Sequence, residues 1–165
     1  MMIAPPGVHE VNWPTIDAGD PGRIAITFPG TTAVNDDDDS KPPTDPKRPW
    51  NSYVVVSTNA LSSNPLFLSN IANPTYDPVH RGDCDGRCAG MYDFLDVLVS
   101  PKDNGRIWAT AVDTCTKAKS CATTLVKGNN PSNSGAAVDM QGVVIKQVSG
   151  PALRGKAANL PPERR

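Results

Sequence analysis

The chain alternates between short apolar runs with strand character and long polar intervals. Val8 to Asp17 carries Val11, Trp13 and Ile16 as its apolar positions and predicts a first strand. Asp20-Pro21-Gly22 is turn chemistry, with Pro pre-setting φ and Gly supplying φ > 0. Arg23 to Phe28 is a β-branched second strand, closed by Pro29-Gly30. Trp50 to Ser57 and Pro65 to Ala72 predict a third and a fourth strand, joined by the small polar connector Thr58 to Asn64. Four antiparallel strands in succession make one meander sheet.

The pattern then restarts. Phe94 to Val99, a turn at Pro101 to Gly105 and Arg106 to Val112 predict a second hairpin, and Ala137 to Val148 a last strand. Gly22-Arg23-Ile24 and Gly105-Arg106-Ile107 occupy the same place in the two hairpins, so the strand–turn–strand unit repeats. Period-2 alternation puts Phe94 and Asp96 on one face of their strand and Leu95 and Val97 on the other. Serial four-stranded sheets are blades of a β-propeller, so the expected fold is all-β, with about two blades of an incomplete ring. A seven-stranded β-sandwich with Greek-key links is the alternative. The expected boundaries are an N-terminal arm at 1–7, a first blade at 8–73 with an acidic loop at 31–49, a connecting loop at 74–93, a partial second blade at 94–150 and a frayed tail at 151–165.

Composition narrows the function. The net charge is −1 and charged residues are 20%, which offers no electrostatic footprint for nucleic acid or an anionic membrane. No stretch approaches the roughly 18 apolar residues of a membrane helix. Pro is 17 of the 165 residues, in keeping with a turn-rich β protein. Asp36 to Asp39 lie in a solvated loop, where converging four like charges on one Ca²⁺ is unfavourable.

Cys84 and Cys88, then Cys115 and Cys121, fall as two pairs inside polar loops and are expected to form two local disulfides, one of three possible connectivities. The rival is a four-cysteine zinc site, but the five-residue spacer of the second pair exceeds the usual knuckle. Disulfides imply an extracellular location. The first residues lack a signal peptide, so secretion implies that an N-terminal part of a longer protein precedes Met1.

The chemistry concentrates between Asp77 and Asp96, where two arginines, one histidine and five aspartates lie around Cys84 and Cys88. Arg81 or Arg87 suits a carboxylate clamp, because a guanidinium fork matches a carboxylate bidentately. Asp93 and Asp96 are candidates for acid/base work or for hydrogen bonds to sugar hydroxyls. The competing reading pairs these Arg and Asp residues with one another as a structural network. Asp83-Cys84-Asp85-Gly86 echoes the start of a Ca²⁺ loop without its downstream acidic ligand, so no metal or cofactor is expected apart from that Ca²⁺ possibility. Arg81-Gly82-Asp83 also spells an adhesion tripeptide.

The runs Asn12 to Thr31, Trp50 to Phe67 and Asp77 to Cys115 resemble the C-terminal blades of secreted bacterial sialidase-like proteins, which carry Asp-box repeats on a six-bladed propeller. The resemblance spans about residues 8 to 154. At the Asp-box position, Ser57 is kept, Asn59 replaces the aspartate, Leu61 stands where glycine belongs and the tryptophan is absent. The resemblance implies three substrate-clamping arginines, a Tyr/Glu nucleophile pair and an aspartate acid/base. Arg81 or Arg87 would supply one arginine and Tyr92 a tyrosine; Asp83 stands with the arginines as a ligand-binding candidate. Glu10 and Glu163 are the only glutamates, and neither has a tyrosine partner in sequence. The expected function is therefore a fragment of a sialidase-like glycoside hydrolase that is inactive alone. Its partners would be a glycan or glycoconjugate and the remaining blades. A non-catalytic extracellular propeller binding glycans or proteins is the alternative.

Overall fold

The computed structural model describes residues 3–32, 50–73, 95–113 and 141–160. They form two antiparallel sheets and no α-helix, so the chain is all-β. The first sheet holds β1 (Glu10–Val11), β2 (Thr15–Ala18), β3 (Ile24–Thr31), β4 (Trp50–Ser57) and β5 (Leu68–Ile71). The second holds β6 (Val97–Val99), β7 (Ile107–Asp113) and β8 (Gln141–Lys146), in that order. Among the described residues the two sheets do not close on one another.

The expected first strand is broken in two. Val11 faces Gly30 and Thr15 faces Thr27, so three residues of the edge, Asn12 to Pro14, oppose two of β3. That is a bulge. Its cause lies in β3. Ser52 directs its backbone toward β5, where its carbonyl accepts the N–H of Ala72, so its partner Pro29 directs its own backbone toward the outer edge. Pro29 has no N–H to give there, although its carbonyl still accepts from Asn12 N–H at 3.0 Å. Trp13, at φ 46°, absorbs the extra residue. For the same reason Pro29-Gly30 does not end the strand as expected: β3 runs through it to Thr31 while keeping register with β4.

β3 is the most buried strand, and both of its faces are used. Ala25 faces the second sheet and packs with Val56, Val97, Val99, Ile107, Ala109 and Leu153. Ile26 and Phe28 face the other way with Tyr53 and Val55, and Ala4, Val8 and Phe67 pack against them. Phe28 and Tyr53 stack with ring centroids 5.5 Å apart. A strand buried on both faces reads as a continuous apolar run, which is why Arg23 to Phe28 shows little alternation.

The two sheets meet strand against strand: β2 and β3 pack on β6, and β3 on β7. The repeated tripeptides stand at equivalent turns. Gly22 has φ 79° and Gly105 φ 72°, and in each turn the arginine N–H donates to the carbonyl of the aspartate three residues back, Asp20 or Asp103. Asp103–Gly105 is a single 3₁₀ turn.

Residues 151–160, expected as part of a frayed tail, are docked between these turns. Asp20 N–H donates to Leu153 O at 2.9 Å and Arg154 N–H to Asn104 O at 3.1 Å, so one dipeptide bridges both hairpins. Arg23 Nη1 donates to the carbonyls of Ala152 and Gly155, and Arg154 Nη2 to that of Ala18. Leu153 is fully buried, and Ala152 and Leu160 nearly so. The sparse apolar content of the segment concealed this, because three buried side chains suffice when hydrogen bonds hold the rest. Glycine allows the close approach: a Cβ at Gly19 would lie 2.0 Å from Leu153 O, and one at Gly105 2.3 Å from Arg154 N.

Candidate functional site

Thr31 pairs with Trp50, Ile71 with Tyr53, and Asp113 with Gln141. The opposite ends of the same strands carry the short turns at Asp20 and Asp103 that share the docked tail. The strand ends that lead into 33–49, into and out of 74–94, and into and out of 114–140 therefore all lie at one end of the molecule, opposite the clasped turns. Sequence reading did not reach this partition, because it depends on the two sheets running side by side.

Asp96 is the one expected site residue within the described set. It sits at that end, immediately before β6, on the face turned away from the first sheet. Its N–H donates to Thr110 Oγ1 at 2.9 Å, its carbonyl accepts Thr110 N–H at 2.9 Å, and its Oδ1 accepts Val97 N–H at 2.8 Å. The side chain is exposed, whereas Leu95, Val97 and Val99 are buried, so the alternation expected from the sequence holds over these residues. Exposure removes the desolvation cost that would have demanded an arginine partner. The sites expected at Arg81, Asp83, Arg87, Tyr92 and Asp93, and the disulfides expected of Cys84, Cys88, Cys115 and Cys121, lie outside the described residues.

Between the sheets, beyond the contact of β3 with β7, the outer strands diverge and leave a cleft of about 410 Å³. Val54, Val56, Leu68 and Ile71 form one wall; Ile107, Ile145 and the segment from Gln147 to Pro151 form the other. Its volume lies within the range of small-ligand pockets and its walls are largely apolar. Gln147, on the second wall, is held from behind by buried Arg106, which has Nε 2.6 Å from Asp103 Oδ2 and donates through Nη1 to Gln147 O at 2.6 Å. The Gln147 side chain accepts Ile107 N–H through Oε1 and donates to Pro151 O through Nε2. The signal for Arg106 was present in the repeated Gly-Arg-Ile, but the fork's two targets lie 3 and 41 residues away.

The turn from Ser57 to Phe67 carries its own internal hydrogen bonds. Asn59 Oδ1 accepts Leu66 N–H at 2.8 Å and the Ser57 hydroxyl at 3.2 Å, closing the turn from within. Ala60 N–H donates to Gly22 O at 2.8 Å, joining it to the first hairpin.

Among the described residues no group of three or more His, Cys, Asp or Glu converges as a metal site, and no helix is long and apolar enough to cross a membrane. Comparison with protein-family models, curated proteins and solved structures finds no match for this chain.

Proposed function

We propose that the two sheets are successive blades of an extracellular, sialidase-like β-propeller, and that the end of the molecule bearing the polar segments recognises a glycan. The observation that carries this reading is the convergence of strand ends: every long polar segment, including the Arg- and Asp-rich stretch from Asp77 to Asp96, joins the described strands at the same end. The packing of β2 on β6 and β3 on β7 supports reading the sheets as neighbouring blades. Arg81 and Arg87 are proposed as carboxylate clamps, Asp83 as a hydrogen-bonding ligand, and Tyr92, Asp93 and Asp96 as the residues nearest the chemistry. Two local disulfides, Cys84–Cys88 and Cys115–Cys121, are proposed to brace the segments.

Catalysis of the sialidase type needs a tyrosine activated by glutamate, and neither Glu10 nor Glu163 has a tyrosine neighbour in sequence. The proposal is accordingly glycan binding without turnover by this chain, the hydrolytic activity belonging to a ring with further blades. A purely binding propeller is favoured by one detail: Asp96 Oδ1 is engaged by Val97 N–H as a local cap. A glycan array with the 165-residue chain, alongside a fluorogenic sialoside assay, tests the reading. Retained binding with no hydrolysis is expected. Absence of any glycan binding overturns the glycan reading, and hydrolysis by the chain alone overturns its assignment as non-catalytic.

A further inference from the structure

The two sheets correspond strand for strand until the last position. β2 stands against β6, β3 against β7, and Val54 and Val56 of β4 face Ile145 of β8. β5 then has no counterpart: among the described residues β8 pairs only with β7 and forms the sheet edge. The cleft lies at this place, with β5 on its wall.

The edge of β8 is chemically ready for another strand. Gln147 N–H donates to Ile107 O at 2.9 Å. Antiparallel pairs alternate between bonded and unbonded, so Ile145 and Val143 exchange their bonds with Ala109 and Ala111. Gly142 and Val144, in the alternate register, turn their N–H and C=O to the open edge. A Cβ built on Gly142 meets nothing within 4 Å, so the sheet face at that residue is open. Apolar side chains around the cleft are left in water: Leu68 is 63% exposed and Val148 59%.

We infer that β8 and the cleft form a β-augmentation site for an extended segment of a partner polypeptide, which adds as a fourth strand antiparallel to β8. Main-chain hydrogen bonds to Gly142 and Val144 would supply affinity, and alternate apolar side chains set against Leu68 and Val56 would supply selectivity. The partner's chemistry follows from the strand that already occupies the equivalent place in the first sheet. β5 is four residues long, uncharged, and preceded by Pro65-Leu66-Phe67. A short uncharged segment that turns an apolar residue to the cleft, as β5 does with Leu68, fits the same space. The inference rests on the sheet packing and is independent of the glycan reading.

The probe is a synthetic peptide of the sequence of residues 65–72, Pro-Leu-Phe-Leu-Ser-Asn-Ile-Ala, carrying a lysine tag for solubility. Amide hydrogen exchange followed by NMR on the full chain is expected to show saturable protection at Gly142 and Val144. Val144→Pro removes an outward N–H without removing a bond to β7, and is expected to weaken binding about tenfold or more. Leu68→Lys, on the exposed opposite wall, gives the same test through a variant that leaves β8 intact. No saturable protection overturns the inference. Protection confined to β4 means that the peptide merely replaces β5, and overturns it too. Protection of Gly142 and Val144 in concentrated protein without peptide assigns the edge to a second copy of the chain, and overturns the assignment to a separate partner.

Discussion

The Asp17 carboxylate accepts the backbone N–H of Val99 at 2.7 Å, tying β2 of the first sheet to β6 of the second. The other carboxylate oxygen accepts Ala18 N–H at 2.7 Å, which fixes the side chain on its own strand. One residue thus joins sequence positions 82 apart and satisfies a part-buried donor at the seam between the sheets. Asp17→Ala leaves Val99 N–H without its acceptor and is expected to lower stability by about 1–3 kcal/mol. Asp17→Asn, which keeps an acceptor oxygen, should lose less. Urea unfolding of the two variants checks the order, and equal losses would show that Val99 N–H finds another acceptor.

The docked tail yields a second expectation. Leu153 is fully buried in the core shared by the two sheets, so Leu153→Ala should cost about 2–5 kcal/mol. Gly19→Ala should also destabilise, because its Cβ would collide with the Leu153 carbonyl. Gly142→Ala meets open space and serves as the control. Thermal unfolding in which all three variants behave alike would contradict the clasp.

Arg106 bridges Asp103 Oδ2 and Gln147 O through two different nitrogens of one rigid fork. A lysine ammonium cannot reproduce that geometry. Arg106→Lys is therefore expected to destabilise by about 1.5–3 kcal/mol, the scale of hydrogen bonds to a charged group. Equilibrium denaturation measures it, and a neutral outcome would mean that charge alone suffices.

Asp96 separates stability from function. Its side chain is exposed, so Asp96→Asn should change stability by no more than about 0.5 kcal/mol. The amide oxygen can still accept Val97 N–H, whereas the carboxylate charge that the proposed glycan site would use is lost. Weaker glycan binding with unchanged unfolding is the expected result, measured by titration calorimetry and urea melts on the same sample. Unchanged binding would confine Asp96 to its capping role.

Much of the sheet framework was legible along the chain. Trp50 to Ser57 was found at its full extent, and the alternation around Val97 held, because burial on one face imposes period two locally. The broken first edge was less visible. Its cause is the missing N–H of Pro29, and that matters only once register places it opposite Asn12 to Pro14. The candidate site divides in the same way. Asp96 was recognisable as a polar residue leading into a buried strand, but its exposure and its Thr110 partner follow from the pairing of β6 with β7.

By itself, then, the sequence determined the all-β class, the places of the principal strands and the repeated Asp–Gly–Arg turn, since each rests on local periodicity and backbone preference. Only the tertiary structure decided that residues 151–160 lock the two turns together, that the polar segments leave from one end, and that β8 lies across a cleft from β4 and β5 with its outer edge unpaired among the described residues. Those relations depend on hydrogen bonds and packing between positions dozens of residues apart, and a chain read in order carries no mark of which distant N–H the Leu153 carbonyl will accept.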